Sequence, residues 1–207
     1  MKSALIVDDH PVVRAAVKIV LRQEGFQRVY EASSGNEVMP LVREHQPDVL
    51  VLDISLPKLD GLEVLARLQD SGERCRVVVF SSHEAMFFQD RCIRAGAAAY
   101  VAKSNDLEHL HKAIHAITAG YTYFAQLSTS VSLSALQRSE KQRIDGLSNR
   151  ELSIFRYLAM GISNKQIAET LHLSHKTVST YKTRLIEKLD VKSAVHLRDF
   201  ALRNCLI

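Results

Sequence analysis

The sequence has no apolar run approaching the ~20 residues that would cross a bilayer. Its opening, Met1-Lys2-Ser3, leads into a strand pattern with neither a signal-peptide core nor a cleavage site. A membrane or exported protein is therefore not expected, and the expected location is the cytoplasm. Cysteines number three, Cys75, Cys92 and Cys205, and they are too widely spaced for a CxxC pair or a metal-ligand cluster. Reduced, unpaired thiols are the expectation. Neither GxGxxG nor GxxxxGKS/T occurs, which argues against a dinucleotide or P-loop site. No long internal repeat is visible. The nine histidines are dispersed. His111 and His115 share a helix face, but a zinc site there needs a further ligand that the sequence does not identify, so a solvated face is expected.

What is present fits a globular chain of one or two domains: 207 residues, 46% apolar and 24% charged. Charge is unevenly divided. Residues 1–120 carry 14 Lys and Arg against 16 Asp and Glu, a net of −2, whereas residues 121–207 carry 13 against 7, a net of +6. A polyanionic partner is expected for the C-terminal part alone.

The first 120 residues alternate strand and helix patterns. Strands are expected at Leu5-Ile6-Val7, 28–31, 48–53, 76–81 and 98–102. Helices are expected over 11–24, 34–44, 61–71, 84–95 and 106–119. Continuous apolar strands separated by amphipathic helices predict a doubly wound, five-stranded parallel sheet covered on both faces. Residues 121–146 lose periodicity and read as a linker, helical near its end. Residues 147–207 hold four short helical patterns and no strand. Ser148 with Glu151 and Ser163 with Gln166 make capping boxes, while Ser174 and Ser193 are placed to cap the third and fourth helices. The pair 164–171 and 175–189, joined by three residues, has helix-turn-helix proportions. The expected domains are thus 1–120, a linker over 121–146, and a small all-α unit over 147–207.

Polar residues stand just past the carboxyl ends of four strands: Asp8 and Asp9, Asp53, Ser81, and Lys103. In an open α/β sheet such positions converge on one crevice. Several carboxylates together repel one another unless a divalent cation intervenes, and oxygen-only ligands point to Mg²⁺ or Mn²⁺. Asp53, central at the end of the third strand, is the natural phosphoryl acceptor. Asp8 and Asp9 would hold the metal, while Lys103 and Ser81 would meet phosphoryl oxygens.

Asp8-Asp9, Asp53-Ile54-Ser55-Leu56-Pro57 with Asp60-Gly61, Ser81, and Gly96 through Lys103 resemble the receiver domain of bacterial response regulators. That resemblance implies a flavodoxin-like fold and phosphorylation of Asp53 by a sensor histidine kinase or a phosphotransfer protein. It implies Mg²⁺ held by Asp8, Asp9, Asp53 and the backbone carbonyl of Ser55, with Ser81 and Tyr100 as a switch pair. The departure is Ser104, where the wider family commonly has proline, so no cis peptide is expected after Lys103.

In the C-terminal part, residues 175–189 suit a recognition helix. Val178, Leu185, Ile186 and Leu189 would face inward. Lys176, Thr177, Ser179, Thr180, Lys182, Thr183 and Arg184 would supply donors to double-stranded DNA. Leu147 to Glu151, Gly161 to Ala168, Ser174 to Val178 and Arg184 to Leu189 resemble the LuxR-type DNA-binding domain. The whole chain is then similar to the NarL/FixJ class of response regulators, with Gly120 to Phe124 and Ser174 to Leu185 most like the Bvg/Evg type. The resemblance implies a phosphorylation-switched transcription factor that binds DNA as a homodimer, with RNA polymerase as a further partner. Ser179, Thr180 and Thr183 stand at the positions that read bases in the family. As hydroxyls they leave the operator undefined.

Two other readings remain open on the residues. One is a phosphatase or phosphotransferase using an aspartyl-phosphate intermediate. Haloacid-dehalogenase-like enzymes place a second aspartate two residues after the nucleophile, where this chain has Ser55, and no substrate-capping insertion is present. The other is a receiver that ignores phosphate and serves only to dimerise, against which the intact acidic set speaks.

Overall fold

The computed structural model describes residues 2–83, 85–104, 107–125, 135–171, 173–204 and 206–207. The chain forms two compact units that divide between Gln126 and Leu127.

The first unit carries five strands: β1 (Ser3–Val7), β2 (Arg28–Ala32), β3 (Val49–Leu52), β4 (Arg76–Ser81) and β5 (Ala99–Ala102). They pair in the order β2-β1-β3-β4-β5, all parallel. Helices α1 (Pro11–Gln23), α2 (Val38–His45), α3 (Gly61–Ser71), α4 (Ala85–Arg94) and α5 (Leu107–Thr118) connect and follow them. A 3₁₀ turn, Gly35–Glu37, precedes α2 where the sequence pattern read as one longer helix. Asp106, where the fifth helix was expected to begin, lies outside the described residues.

Strand alternation sorts the core into two layers. Ala4, Ile6, Val49, Val51, Val78, Phe80 and Val101 pack with Val17, Val20 and Leu21 of α1 and with Leu110, Ile114 and Ile117 of α5. The intervening residues, among them Leu5, Val7, Leu50, Leu52, Val77 and Val79, are also buried. Burial on both faces is why these strands read as unbroken apolar runs. Each fully buried Leu, Val or Ile side chain contributes roughly 1.5–3 kcal/mol. No helix among the described residues is long and apolar enough to cross a membrane.

The second unit is all helical: α6 (Ala135–Asp145), α7 (Asn149–Ala159), α8 (Asn164–Leu171), α9 (His175–Leu189) and α10 (Ala194–Arg203). α6 lies in the stretch that the sequence pattern leaves as the helical tail of a linker. It is tied to this unit by the fully buried Ile144 and by polar groups. Glu140, 5% exposed, accepts from Arg203 at 2.9 Å and from Asn204 at 2.8 Å. Arg143 donates to the Leu189 carbonyl at 3.1 Å and to Asp190 at 3.0 Å.

Both expected capping boxes form. The Glu151 N–H donates to Ser148 Oγ and the Ser148 N–H to Glu151 Oε2; Gln166 and Ser163 repeat the arrangement. Ser174 caps α9 by accepting from the Thr177 N–H at 3.0 Å. Ser193 differs from expectation. It precedes α10, but its hydroxyl pairs with the His196 ring at 2.9 Å instead of capping a backbone N–H.

Glu151 does double service. Besides the cap, it receives Lys188 Nζ from α9 at 2.8 Å and so pins the long helix to α7. Burial alone would raise this carboxyl, but the Lys188 ammonium and the Ser148 N–H and hydroxyl outweigh it and hold Glu151 below the ordinary carboxylate value. A depressed carboxyl stabilises the fold above its unfolded value and loses that contribution as pH falls through the folded one. Glu151→Gln is expected to cost about 1–3 kcal/mol at pH 7 and to flatten the fall in stability below pH ~4.5. Urea unfolding against pH, followed on the C-terminal transition, measures both.

Candidate functional site

Ladder hydrogen bonds run one residue beyond the strands and set the backbone of the site. The Asp8 N–H donates to the Ala32 carbonyl at 3.2 Å, Asp53 to Val7 at 2.9 Å and Lys103 to Ser81 at 2.7 Å. Asp8 and Asp53 are thereby held side by side at the ends of the paired strands β1 and β3, and Lys103 at the end of β5, one strand beyond β4. Position 53 sits in the middle because β3 is the central strand.

Lys103 Nζ bridges the two carboxylates, 2.7 Å from Asp8 Oδ2 and 2.7 Å from Asp53 Oδ2. The aspartate side chains are 3% and 2% exposed and the lysine 15%. Burial would lower the lysine's pKa, but the charges and hydrogen bonds of Asp53 and Asp8 outweigh it and raise it above the ordinary lysine value. The ammonium is therefore a fixed positive charge at neutral pH.

The remaining oxygens are oriented by the loops. Asp53 Oδ1 accepts from the Ser55 N–H at 3.2 Å, and Asp8 Oδ1 accepts from the His10 N–H at 2.9 Å. Asp9 stands at the rim, 39% exposed, with its Oδ1 2.7 Å from His10 Nδ1. Asp8, Asp9 and His10 each offer a donor atom within 4.8 Å of the others. Gly61 opens α3 beneath this loop. A Cβ there would lie 2.3 Å from the Asp53 carbonyl oxygen, so only glycine permits that approach of the helix to the acceptor residue.

Ser81 is fully buried at the end of β4, and its Oγ accepts from the His83 N–H at 3.3 Å. Tyr100, 2% exposed, donates its hydroxyl to the His83 carbonyl at 2.9 Å. His83 also meets Ser55: its Nε2 lies 2.7 Å from Ser55 Oγ, while its ring stacks on Phe88. Sequence reasoning missed His83 and His10, since a single histidine after a strand carries no periodic signal. His111 and His115, left without a further ligand by the sequence, both turn to Glu24, with Nδ1–Oε distances of 3.0 and 3.5 Å.

In the second unit, Val178, Leu185 and Leu189 face the core and Ile186 is half-buried. Lys176, Thr180, Thr183 and Arg184 are exposed, whereas Thr177, Ser179 and Lys182 are half-buried. The Thr180 and Thr183 hydroxyls donate to the carbonyls of Lys176 and Ser179, four residues back, which leaves acceptor lone pairs outward. Asn164 of α8 donates to Ser179 Oγ at 3.2 Å, fixing that hydroxyl from the partner helix.

Residues 4–115 match the response regulator receiver domain family, and residues 145–201 match the bacterial regulatory proteins of the luxR family. The chain belongs to the two-component response regulators with a LuxR-type DNA-binding domain. It is 46% identical over 203 residues to the virulence-factors transcription regulator BvgA of Bordetella pertussis, covering 98% of this chain and 97% of that one. To the DNA-binding transcriptional activator EvgA of Escherichia coli K12 it is 35% identical over 202 residues, 98% of each chain. Both relatives are named as regulators, in keeping with a regulatory and not an enzymatic role for this response regulator. Among solved structures, RcsB of Salmonella typhimurium superposes with a TM-score of 0.76 at 22% identity, covering 99% of this chain and 100% of that one. That likeness concerns the fold: a five-stranded parallel receiver followed by a helical unit.

Proposed function

We propose that this response regulator accepts a phosphoryl group on Asp53 and that the modification governs how α9 engages double-stranded DNA. The observation that carries the reading is the buried cluster in which Lys103 bridges Asp8 and Asp53 at the carboxyl edge of the sheet. A carboxylate oxygen of Asp53 attacks phosphorus, a P–O bond forms, and the P–N bond to a donor phosphohistidine breaks as the imidazole departs. Lys103, already charged, moves with the oxygen it neutralises, and the Ser81 hydroxyl donates to another phosphoryl oxygen.

The donor set suits a hard divalent cation, because Asp8, Asp9, Asp53 and the Ser55 carbonyl present only oxygen. These residues would hold Mg²⁺, or Mn²⁺, which offsets charge on the transferring group. The donor protein is a sensor histidine kinase or phosphotransfer protein. Tyr100 and Ser81, linked through His83, are the switch pair. The chain works in the cytoplasm as a homodimer on DNA, with RNA polymerase as a further partner. In its support, RcsB is described bound to the promoter rprA in the presence of a phosphomimetic, and as dimers on DNA.

The test is incubation of the full chain with a small-molecule acyl phosphate and Mg²⁺, read by intact mass. One stable adduct per chain supports the switch. Many turnovers would instead make it an enzyme, and no adduct would leave a receiver that ignores phosphate.

On the DNA side, Lys176, Lys182 and Arg184 would neutralise phosphates, while Thr177, Ser179, Thr180 and Thr183 meet bases or backbone. Arg184→Ala and Lys182→Ala are each expected to weaken binding to all sequences alike and to reduce the slope of log Kd against log salt by about 1. Titrations of one fragment at several salt concentrations give that slope. An unchanged slope would remove those residues from the interface.

A further inference from the structure

The chain leaving the receiver is fastened to the elements that hold Ser81 and Tyr100. The Tyr100 N–H donates to the Tyr123 carbonyl at 3.1 Å and the Tyr123 N–H to the Ala98 carbonyl at 3.0 Å, so this segment runs parallel to β5 along its outer edge. Two residues on, the Gln89 carboxamide of α4 grips Ala125 at both ends. Its Nε2 donates to the Ala125 carbonyl at 3.0 Å, and its Oε1 accepts from the Ala125 N–H at 3.1 Å. Gln89 is 4% exposed. A buried carboxamide is costly unless both its groups are paired, and one backbone residue satisfies both here.

The same two elements connect to the phosphate crevice. Ser81 Oγ accepts from the His83 N–H, and the His83 carbonyl accepts from the Tyr100 hydroxyl. α4 begins two residues after His83 and carries Gln89 one turn further along. A Ser81 side chain that rotates towards a phosphoryl group on Asp53 would carry its oxygen away from the His83 N–H. That disturbs both ends of the attachment, Tyr100 on β5 and Gln89 on α4.

We infer that Gln89 is a positioning residue whose grip on Ala125 reports the state of Asp53 to the exit segment Tyr121–Ala125. The grip is closed in the unmodified protein and loosens on phosphorylation. This rests on Asp53 being the acceptor and Ser81 the responding hydroxyl. A grip of purely structural purpose would hold equally in both states, and amide exchange distinguishes the two.

The experiment uses the full chain, treated with acyl phosphate and Mg²⁺ or left untreated, with the modified fraction read by intact mass. Exchange at the Tyr123 and Ala125 amides is expected to quicken by about tenfold or more on modification, with β1 and β3 amides unchanged. In Gln89→Leu, Ala125 should exchange fast without phosphate, Asp53 should still be modified to one adduct per chain, and the change of DNA affinity on modification should shrink towards none. Equal exchange at Tyr123 and Ala125 before and after complete modification overturns the inference, as does a full DNA response in Gln89→Leu. If the parent protein takes up no phosphoryl group, the reading of Asp53 fails instead, and the mass shows it.

Discussion

Asp53→Asn is expected to take up no phosphoryl group under conditions that modify the parent protein at one site per chain. The amide has no anionic oxygen with which to attack phosphorus, and asparagine is close to aspartate in shape. The Asp53 N–H that bonds to Val7 and the oxygen that accepts from Ser55 both have counterparts in the amide, and although the contact of Oδ2 with Lys103 is lost, the ammonium keeps Asp8 as its partner. Loss of modification without loss of fold is the expected signature. The dependence of DNA affinity on acyl phosphate should vanish with it. Intact mass, an unfolding curve and a DNA titration on the two proteins check the three parts. An adduct of the same stoichiometry in the variant would place the acceptor elsewhere and end the assignment.

Lys103→Met is expected to destabilise the receiver by about 3–5 kcal/mol without divalent cations, because it leaves two nearly buried carboxylates facing each other with their cation gone. Mg²⁺ should restore much of that loss. A ligand that binds only the folded state adds roughly 2.7 kcal/mol at a hundredfold excess over its Kd, and the variant's site, stripped of a competing ammonium, should take the ion more tightly than the parent's. Urea unfolding with and without Mg²⁺ measures both effects. The pH dependence follows from the raised lysine pKa: its contribution is complete below the unfolded lysine value and is lost only as pH rises through the higher folded one. Stability in the parent should therefore show no loss from this group between pH 7 and 9. A variant that loses under 1 kcal/mol, or that answers Mg²⁺ as the parent does, would show that the ammonium does not hold the carboxylates together.

β1, β3, β4 and β5 were legible because each is buried on both faces, which leaves no alternation to confuse with an exposed strand, whereas the edge strand β2 is mostly exposed or half-buried and carries no such run. The polar residue that ends each run then marks the carboxyl edge. The capping boxes at Ser148 and Ser163 were equally legible, since a serine three residues ahead of a glutamate or glutamine is a local pattern that the helix start completes by itself. Ser193 shows the limit of that logic, for a serine in the right place can spend its hydroxyl on a neighbouring imidazole instead. α6 was faint in the sequence because, beside the one buried Ile144, its anchors include Glu140, Arg143 and the residues they reach, and polar anchoring carries no hydrophobic period. His83 was invisible for a related reason. Its importance lies in joining Ser81, two residues back, to Ser55 and Tyr100, which stand 28 and 17 positions away.

The alternation of strand and helix, the four strand-end positions that could share a crevice, the helix-turn-helix pair and the separation of acidic from basic halves are all written in the order of residues along the chain. Each follows from what a short segment must bury or expose, a property that neighbouring residues reveal. That one ammonium spans Asp8 and Asp53, that Asn164 steadies Ser179, and that Gln89 grips a residue 36 positions away emerge only once the chain is folded. Those contacts depend on which polar groups the packed backbone brings within hydrogen-bond reach, and distance along the chain says nothing about that.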